Sequence, residues 1–272
     1  MHVDQGTVTT EGAELYYETC GEGPPVLLIQ GGLSETGATQ QLATELAQQH
    51  QVISYDRRGL SRSTVTRDPQ PLTMATHADD AAALLAALTS EPARVVGPSI
   101  GAVIGLHLTA RHPDQVALLV AHEPPMASLV RDPDQEAGLD EVAELARDDV
   151  GAAIRRFVAL GGSREGTQEP GAGPAPPVGN VEANLRRFFT YDFPAVRTAA
   201  LDLDQLTGPA RPPVIVTGGE ESRGQWEYRC AQQLAAELDC KLVETPGGHN
   251  GLVSHPWATA DVLRRLFTES IG

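Results

Sequence analysis

A serine between two glycines is the residue of this chain best placed for nucleophilic chemistry. The segment Gly97-Pro98-Ser99-Ile100-Gly101 fits the pattern G-x-S-x-G and lies between a short apolar strand pattern and an apolar helix pattern. A tight turn here would lift the Ser99 hydroxyl out of the sheet. It would also direct the first free amides of the helix, starting with that of Ile100, at the group that Ser99 attacks. The spacing therefore predicts nucleophilic catalysis by Ser99.

A histidine in a glycine-rich loop can supply the base that this chemistry needs. His249 lies in Gly247-Gly248-His249-Asn250-Gly251, directly after the last predicted strand. A residue surrounded by glycines is not packed like a core residue, and such a loop can bring the imidazole close to Ser99. We assign no catalytic role to the other seven histidines, which are His2, His50, His77, His107, His112, His122 and His255.

A second glycine pair can supply backbone donors. The apolar run Val26-Leu27-Leu28-Ile29 predicts a strand covered on both faces, and it continues into Gln30-Gly31-Gly32-Leu33. Two glycines at this point let backbone amides face a ligand. The amide of Gly32 or Leu33, together with that of Ile100, could hold a developing oxyanion. The alternative is an ordinary tight turn.

The order of these motifs resembles that of the α/β-hydrolase superfamily, in its serine-nucleophile, lid-containing esterase and haloperoxidase-like members. The resemblance includes Tyr55-Asp56-Arg57-Arg58-Gly59-Leu60-Ser61 and covers nearly the whole chain outside a helical insertion. Serine rather than aspartate at position 99 argues against dehalogenase or epoxide-hydrolase chemistry. The family usually has histidine where Gln30 stands, which leaves open how this loop is held in place.

The resemblance implies an acidic partner for His249 and leaves two candidates. In the family the acid usually ends a G-x-x-D turn after the strand before the histidine. Here that turn is Gly218-Gly219-Glu220-Glu221-Ser222, whose last position is Glu221 or Ser222 depending on the glycine counted from. Some members place the acid one strand earlier, where this chain has Glu123. We favour Glu123 slightly, because the usual site is out of register in one of the two alignments.

The elements that must position these residues alternate between strand and helix patterns. Strands are predicted at 6–19 (an antiparallel pair), 26–29, 52–55, 94–96, 116–120, 214–217 and 242–244. Helices are predicted at 37–49, 75–89, 102–112, 223–238 and 256–269. The alternation predicts a mostly parallel, eight-stranded, doubly wound sheet with helices on both faces, and ligands bind such sheets at the carboxyl ends of the strands.

Residues 126–205 differ from the rest of the chain. They contain helical patterns near 138–148, 150–160 and 180–190, no convincing strand, and a Gly- and Pro-rich stretch over 161–179 that predicts a mobile loop. We therefore predict a core of residues 1–125 and 206–272 and a helical lid of residues 126–205. The lid residues that could line an apolar pocket are Leu129, Val130, Phe157, Leu160, Phe188 and Phe189.

Composition and charge narrow the class of protein. With 41% hydrophobic and 21% charged residues, the 272-residue chain is typical of a globular protein. Its net charge of −16 argues against nucleic acid or an anionic membrane as partner. We expect a cytoplasmic protein, since neither a membrane-spanning run nor a signal peptide is evident. Three scattered cysteines and the lack of a dinucleotide motif predict no metal and no cofactor.

The predicted function is hydrolysis of an ester, thioester or lactone of a small, largely apolar molecule through an acyl-enzyme on Ser99. The same side chains could serve C–C bond hydrolysis, cofactor-free perhydrolysis, or a non-hydrolytic step on a natural-product intermediate. A ligand-binding protein on a hydrolase fold is the alternative from another class. Whether the chain forms a homodimer is left open.

Overall fold

A single sheet runs through the computed structural model, which describes residues 2–67, 71–161 and 166–269. The nine strands of the described residues are β1 (Val3–Thr10), β2 (Ala13–Cys20), β3 (Pro25–Leu28), β4 (Gln51–Tyr55), β5 (Thr64–Val65), β6 (Ala93–Pro98), β7 (Val116–His122), β8 (Val214–Gly219) and β9 (Val243–Thr245). Eight of them follow the order β1-β2-β4-β3-β6-β7-β8-β9, and the two-residue β5 pairs with β2 outside this order.

Strand pairing confirms the predicted mostly parallel sheet. β1, β2 and β4 pair antiparallel, and every pair from β4 to β9 is parallel. The carboxyl ends of β3, β6, β7, β8 and β9 therefore meet at one edge of the sheet. The prediction of eight strands was wrong only in missing β5, because two residues are too short to form an alternating pattern.

Helices cover both faces of this sheet. They are α1 (Gln40–Leu46), α2 (Met74–Leu88), α3 (Ile100–Arg111), α4 (Pro133–Asp148), α5 (Val150–Leu160), α6 (Val181–Arg187), α7 (Phe193–Arg197), α8 (Trp226–Glu237), α9 (Gly251–Ser254) and α10 (Pro256–Glu269). None of these helices is long and apolar enough to cross a membrane, as far as the described residues show.

The hydrophobic core has two layers because successive strand residues point to opposite faces. Leu27 and Ile53 belong to the layer that includes α2, α3 and α8. Val26 and Val52 belong to the layer that includes α1 and α10. This division explains why β3 is apolar at every position, since both of its faces are covered.

Residues 126–205, here called the helical segment, contain α4 to α7 and a π-helical turn over Phe188–Asp192. The described residues of the segment form no strand, as the sequence predicts. Four phenylalanines pack against one another within it, with ring centroids 5.2 to 6.2 Å apart; they are Phe157, Phe188, Phe189 and Phe193. Five of the six ring pairs are edge to face, and the Phe188–Phe193 pair is tilted. These aromatic contacts join α5, the π-helical turn and α7.

The Gly- and Pro-rich stretch between α5 and α6 is held by hydrogen bonds in its described part. The prediction of a mobile loop over 161–179 includes residues 162–165, which lie outside the described residues. Further along, the Glu169 carboxylate accepts from the N–H groups of Trp257 and Ala258, at 2.9 and 3.1 Å, and so caps α10. The Gln41 amide donates to the carbonyl of Gly171 at 2.8 Å. These contacts join Glu169 to α10 and Gly171 to α1, and the mobility of the stretch stays a prediction.

Candidate active site

Ser99 lies at the turn from β6 to α3 in a backbone conformation that side-chain-bearing residues rarely adopt. Its φ and ψ are 54° and −126°, and such a conformation typically costs about 1–3 kcal/mol. A Cβ on Gly97 would overlap the backbone of Gly101, and one on Gly101 would overlap the carbonyl of Ile29. The Ser99 amide donates to the carbonyl of His122 at 2.8 Å. The tight turn that the glycine spacing predicts is therefore present, with Ser99 at its tip.

Ser99 and His249 line the same cavity, which has a volume of about 700 Å³. The cavity lies at the carboxyl ends of the parallel strands, where β3, β6 and the loop after β9 meet. The predicted oxyanion donors Gly32, Leu33 and Ile100 line it as well. The fold thus brings together residues from three distant parts of the chain.

Glu123 is the carboxylate that contacts His249. Nδ1 of His249 lies 2.8 Å from Oε2 of Glu123. Because an ionised carboxylate only accepts, Nδ1 carries the proton and donates it, which leaves Nε2 as the free nitrogen. Oε1 of Glu123 accepts from the N–H of Gly219 at 2.8 Å and from the hydroxyl of Ser222. The fully buried carboxylate is thus satisfied on both oxygens.

This arrangement shifts the pKa of both partners. Burial alone would raise the pKa of Glu123, but its hydrogen bond to His249 and the neighbouring imidazoles outweigh burial and lower the pKa to about 2. Burial alone would lower the pKa of His249. The hydrogen bond to Glu123 and the charges of Glu227 and Glu123 outweigh that effect, so the pKa of His249 is raised. Glu123 is therefore ionised at neutral pH and stabilises the imidazolium.

Glu221, the other candidate acid, lies elsewhere. Its carboxylate accepts from the Thr167 N–H, with 3.0 Å to Oε2, and from the Thr167 hydroxyl. It thereby holds the stretch after α5 against the turn that follows β8. Ser222, the other residue at which the G-x-x-D pattern can end, donates its hydroxyl to Glu123. Between the two glutamates, the geometry brings Glu123 and not Glu221 to His249.

The guanidinium of Arg57 binds the backbone carbonyls of the loop after β3. Nη1 of Arg57 donates to the carbonyls of Gln30 at 2.9 Å and Gly31 at 2.8 Å, and Nη2 donates to that of Gly32. In a trans peptide the C=O and N–H groups point in opposite directions. The amides of Gly31, Gly32 and Leu33 therefore face away from Arg57. Neither the Leu33 nor the Ile100 amide has a hydrogen-bond acceptor among the described residues, so both are free to bind an oxyanion.

The Gln30 side chain holds the same loop from a second direction. Its Nε2 donates to the hydroxyl of Thr39 at 2.8 Å, just before α1. Gln30 is 1% exposed, although it belongs to the cavity wall. The departure from the family's usual histidine is thus accommodated by a contact to Thr39 and by the arginine behind the loop.

Arg57 also belongs to a buried ionic cluster that sequence reasoning missed. Its Nη2 lies 3.2 Å from Oδ2 of Asp192, and the other oxygen of Asp192 lies 3.0 Å from Nε2 of His77. All three residues are at most 1% exposed. Burial alone would raise the pKa of Asp192, but His77 and Arg57 outweigh it, so the pKa is lowered. The only sequence signal was the charged run Asp56-Arg57-Arg58 after β4. Asp192 and His77 lie far from that run in the chain, so no spacing pattern connects them to it.

His122 is a further residue to which the sequence analysis gave no role. The imidazole is fully buried, with Nδ1 3.1 Å from the Thr217 hydroxyl and Nε2 3.3 Å from the carbonyl of Gly248. Burial lowers its pKa to about 4, so the ring is neutral at neutral pH. Through Gly248, His122 supports the loop that carries His249.

The helical segment supplies much of the apolar cavity wall. Three of its six candidate lining residues, Phe157, Leu160 and Phe188, do line the cavity. The other three, Leu129, Val130 and Phe189, pack with the core instead. Additional apolar lining residues from the segment include Leu139, Ile154, Val158, Phe193 and Val196. Across residues 2–67, 71–161 and 166–269, no group of three or more His, Cys, Asp or Glu side chains is placed to hold a metal ion.

Comparison with known proteins gives consistent matches. Residues 24–174 match a family described as the alpha/beta hydrolase fold. The uncharacterized hydrolase YraK of Bacillus subtilis is 34% identical over 92% of this chain and 91% of its own length. A pimeloyl-[acyl-carrier protein] methyl ester esterase of Chromobacterium violaceum is 35% identical over 54% of this chain and 56% of its own. An alpha/beta hydrolase structure from Sphaerobacter thermophilus superposes with a TM-score of 0.71 at 25% identity, covering 97% of this chain and 100% of that one.

Proposed function

The chain belongs to the α/β-hydrolase family, and we propose that it is a serine hydrolase cleaving an ester, thioester or lactone bond of a small, largely apolar molecule. The observation that carries this proposal is the Glu123–His249 hydrogen bond beside the cavity that Ser99 enters from its strained turn. A buried acid that fixes the imidazole tautomer leaves Nε2 free to act as a base. The similarity to a methyl ester esterase over about half the chain supports the same class of reaction.

In the proposed mechanism, Nε2 of His249 takes the proton of the Ser99 hydroxyl as Oγ attacks the substrate carbonyl carbon. The carbonyl π electrons move to oxygen, and the oxyanion accepts hydrogen bonds from the amides of Ile100 and of Gly32 or Leu33. A single such donor is typically worth about 3 kcal/mol. His249 then gives its proton to the departing alcohol or thiol, and water repeats the sequence to release the acid.

We further propose that the helical segment acts as a lid over this site and selects the substrate. Its phenylalanines and aliphatic residues line the cavity above Ser99, which supports an apolar acyl group. Two arginines at the cavity are paired with carboxylates of the segment itself: Arg131 with Glu136 at 2.6 Å and Arg197 with Asp140 at 2.6 Å. Because these cations are already neutralised, an uncharged substrate fits better than an anionic one.

Ser99→Ala tests the proposal directly. We expect wild-type protein to hydrolyse p-nitrophenyl esters of short and medium acyl chains and to gain the mass of one fluorophosphonate adduct. Ser99→Ala should lose at least about 1,000-fold in rate and gain no adduct. Ser90→Ala, at an exposed position outside the cavity, serves as the matched control and should keep both properties. A Ser99→Ala protein as active as wild type would exclude the mechanism. A wild-type protein that neither turns over nor reacts would indicate a ligand-binding protein instead.

A further inference from the structure

We infer that Arg57 is a positioning residue for the oxyanion-binding amides, and that Asp192 of the helical segment sets the place of Arg57. This inference rests on the proposed function, because it assigns the loop after β3 to the oxyanion. The juxtaposition behind it is unusual: one guanidinium binds three successive carbonyls of the loop on one side and a carboxylate of the helical segment on the other.

The loop needs an external support because its own sequence does not fix its shape. Gly31 and Gly32 have wide conformational freedom, and ordering them costs more entropy than ordering other residues. A planar guanidinium has donors in a fixed fork, so binding successive carbonyls fixes the orientation of each peptide plane. Since Arg57 is 0% exposed, its side chain has no freedom to follow a moving loop.

The orientation that Arg57 imposes is the one that an oxyanion requires. Holding the carbonyls of Gly31 and Gly32 turns the amides of Gly32 and Leu33 to the opposite side, towards the cavity that both residues line. The positive charge behind the carbonyls also favours this direction of the peptide dipoles. Donors that are oriented before the reaction pay no reorganisation cost when charge develops on the substrate oxygen.

Asp192 makes the helical segment part of this support. A buried guanidinium without a counter-charge is strongly destabilising, so Arg57 depends on Asp192 for its place in the core. His77 of α2 holds the second oxygen of Asp192 at 3.0 Å. The π-helical turn that carries Asp192 also carries Phe188, whose ring would lie 3.2 Å from a Cβ on Gly32. The same turn therefore touches the loop directly through Phe188 and indirectly through Arg57.

The consequence is that a displacement of the helical segment also loosens the oxyanion donors. A substrate that binds against Phe188 therefore also affects the orientation of the oxyanion-binding amides. Sequence reasoning gave no hint of this, because the four residues involved, His77, Arg57, Phe188 and Asp192, come from three separate parts of the chain.

The chain offers a matched control in the neighbouring residue. Arg58 forms a second buried pair, with Asp80 of α2, through two contacts of 2.6 Å. Both side chains are at most 3% exposed, and the carbonyl that Arg58 binds is that of Glu11, away from the loop. Asp80→Asn therefore disrupts a buried ion pair of the same kind without touching the oxyanion loop.

The experiment compares Asp192→Asn, Arg57→Lys and Asp80→Asn at equal folded fraction. We expect Asp192→Asn and Arg57→Lys to lower kcat by about 10- to 100-fold with KM changed less than about 3-fold, less than the loss of a whole donor. The affinity for a trifluoromethyl ketone, which forms an oxyanion on the serine, should fall in parallel with kcat. Asp80→Asn should lower Tm and leave kcat and the ketone affinity within about 2-fold of wild type.

The ¹H–¹⁵N resonances of Gly31 and Gly32 give a readout that does not depend on turnover. They should shift in Asp192→Asn and stay in place in Asp80→Asn. If wild type proves inactive while these resonances shift, the proposed function fails and the positioning of the loop by Asp192 stands. If wild type is active and Asp192→Asn matches Asp80→Asn in kcat, ketone affinity and glycine resonances, the inference is overturned.

Discussion

In the proposed mechanism Glu123 acts on the substrate only through His249, so replacing it affects the orientation of the imidazole without removing the nucleophile. Glu123→Gln removes the charge that raises the pKa of the imidazole and weakens the control of its tautomer. We expect kcat to fall by about 10³- to 10⁴-fold. Without the Glu123 carboxylate the protonated imidazole is less stabilised, so the pKa of His249 falls. The acidic limb of the kcat/KM profile should therefore move to lower pH.

The pH profiles of Glu123→Gln and Glu221→Gln measure this difference. Glu221 contacts Thr167 and not His249, so Glu221→Gln should keep kcat within about 3-fold and leave the acidic limb in place. A large loss of kcat in Glu221→Gln, with little loss in Glu123→Gln, would reverse the assignment of the acid.

At the scale of residues, the sequence was informative where the chemistry is local. The turn that carries Ser99 could be predicted because strand, glycine turn and helix are continuous in the chain. The sequence favoured Glu123 over Glu221 only slightly, because the choice depends on which loop approaches the imidazole in three dimensions. The Arg57–Asp192 pair joins residues 135 positions apart, and neither position carries a spacing signal.

At the scale of elements, the turn from β6 to α3 is set by how closely the helix approaches β3. A methyl group on Gly101 would overlap the Ile29 carbonyl at the end of β3. Gly101→Ala should therefore lower the free energy of unfolding by about 1–3 kcal/mol, and kcat should fall because the Ile100 amide moves with the helix. Urea unfolding and ester hydrolysis measure both effects.

Gly161→Ala is the matched control for this substitution. Gly161 ends α5 at a φ of −68°, and a Cβ there would come no nearer than 3.7 Å to the closest atom, the Val158 carbonyl oxygen. Its free energy of unfolding should change by less than about 0.5 kcal/mol. Equal destabilisation by the two substitutions would show that close approach to β3 is not what selects glycine at position 101.

The strands were predictable from the sequence where both of their faces are buried. Strands covered on both faces, such as β3 and β7, are recognised from continuous apolar runs. The π-helical turn was not predicted, because an α-helical pattern over 180–190 fits the same residues. Phe188, Phe189 and Asp192 are all buried in that turn. The same three positions would share one face of an α-helix, so their burial pattern does not distinguish the two kinds of helix.

At the scale of the whole molecule, polar contacts connect the helical segment to the rest of the chain. Asp192 binds Arg57 and His77, and Glu35 accepts from the N–H of Val178 at 2.5 Å. Burial alone would raise the pKa of each carboxyl. Hydrogen bonds from Ser61, Val178 and Gly179 outweigh burial and lower the pKa of Glu35, and His77 and Arg57 do the same for Asp192. The stability of the whole molecule therefore depends on these groups staying ionised.

The sign of the pH dependence follows from these shifts. A carboxyl whose folded pKa is lowered contributes stability above its unfolded pKa, and this stability is lost as pH falls towards the folded value. With a pKa of about 2 against an ordinary 4.5, Glu123 alone accounts for a loss of about 2 kcal/mol between about pH 5 and pH 3. His249 acts in the opposite direction: its raised pKa contributes stability below its ordinary 6.5, and this is lost as pH rises through the folded value.

His122 adds to the acidic loss, because burial lowers its pKa to about 4 and the stability of the neutral ring is lost as pH falls below its ordinary 6.5. The free energy of unfolding should consequently be greatest near pH 6.5. Above pH 6.5 the net charge of −16 adds self-repulsion, so the loss of unfolding free energy on the alkaline side should shrink in high salt. The loss on the acidic side comes from buried groups and should persist in high salt. Urea unfolding at a series of pH values, at low and at high salt, measures both sides.

Asp192→Asn should lose less stability than wild type between about pH 5 and 3, because one of the titrating carboxyls is gone. A free energy of unfolding that rises steadily from about pH 6.5 to about pH 9 would contradict the assignment, since the raised pKa of His249 requires stability to be lost over part of that range.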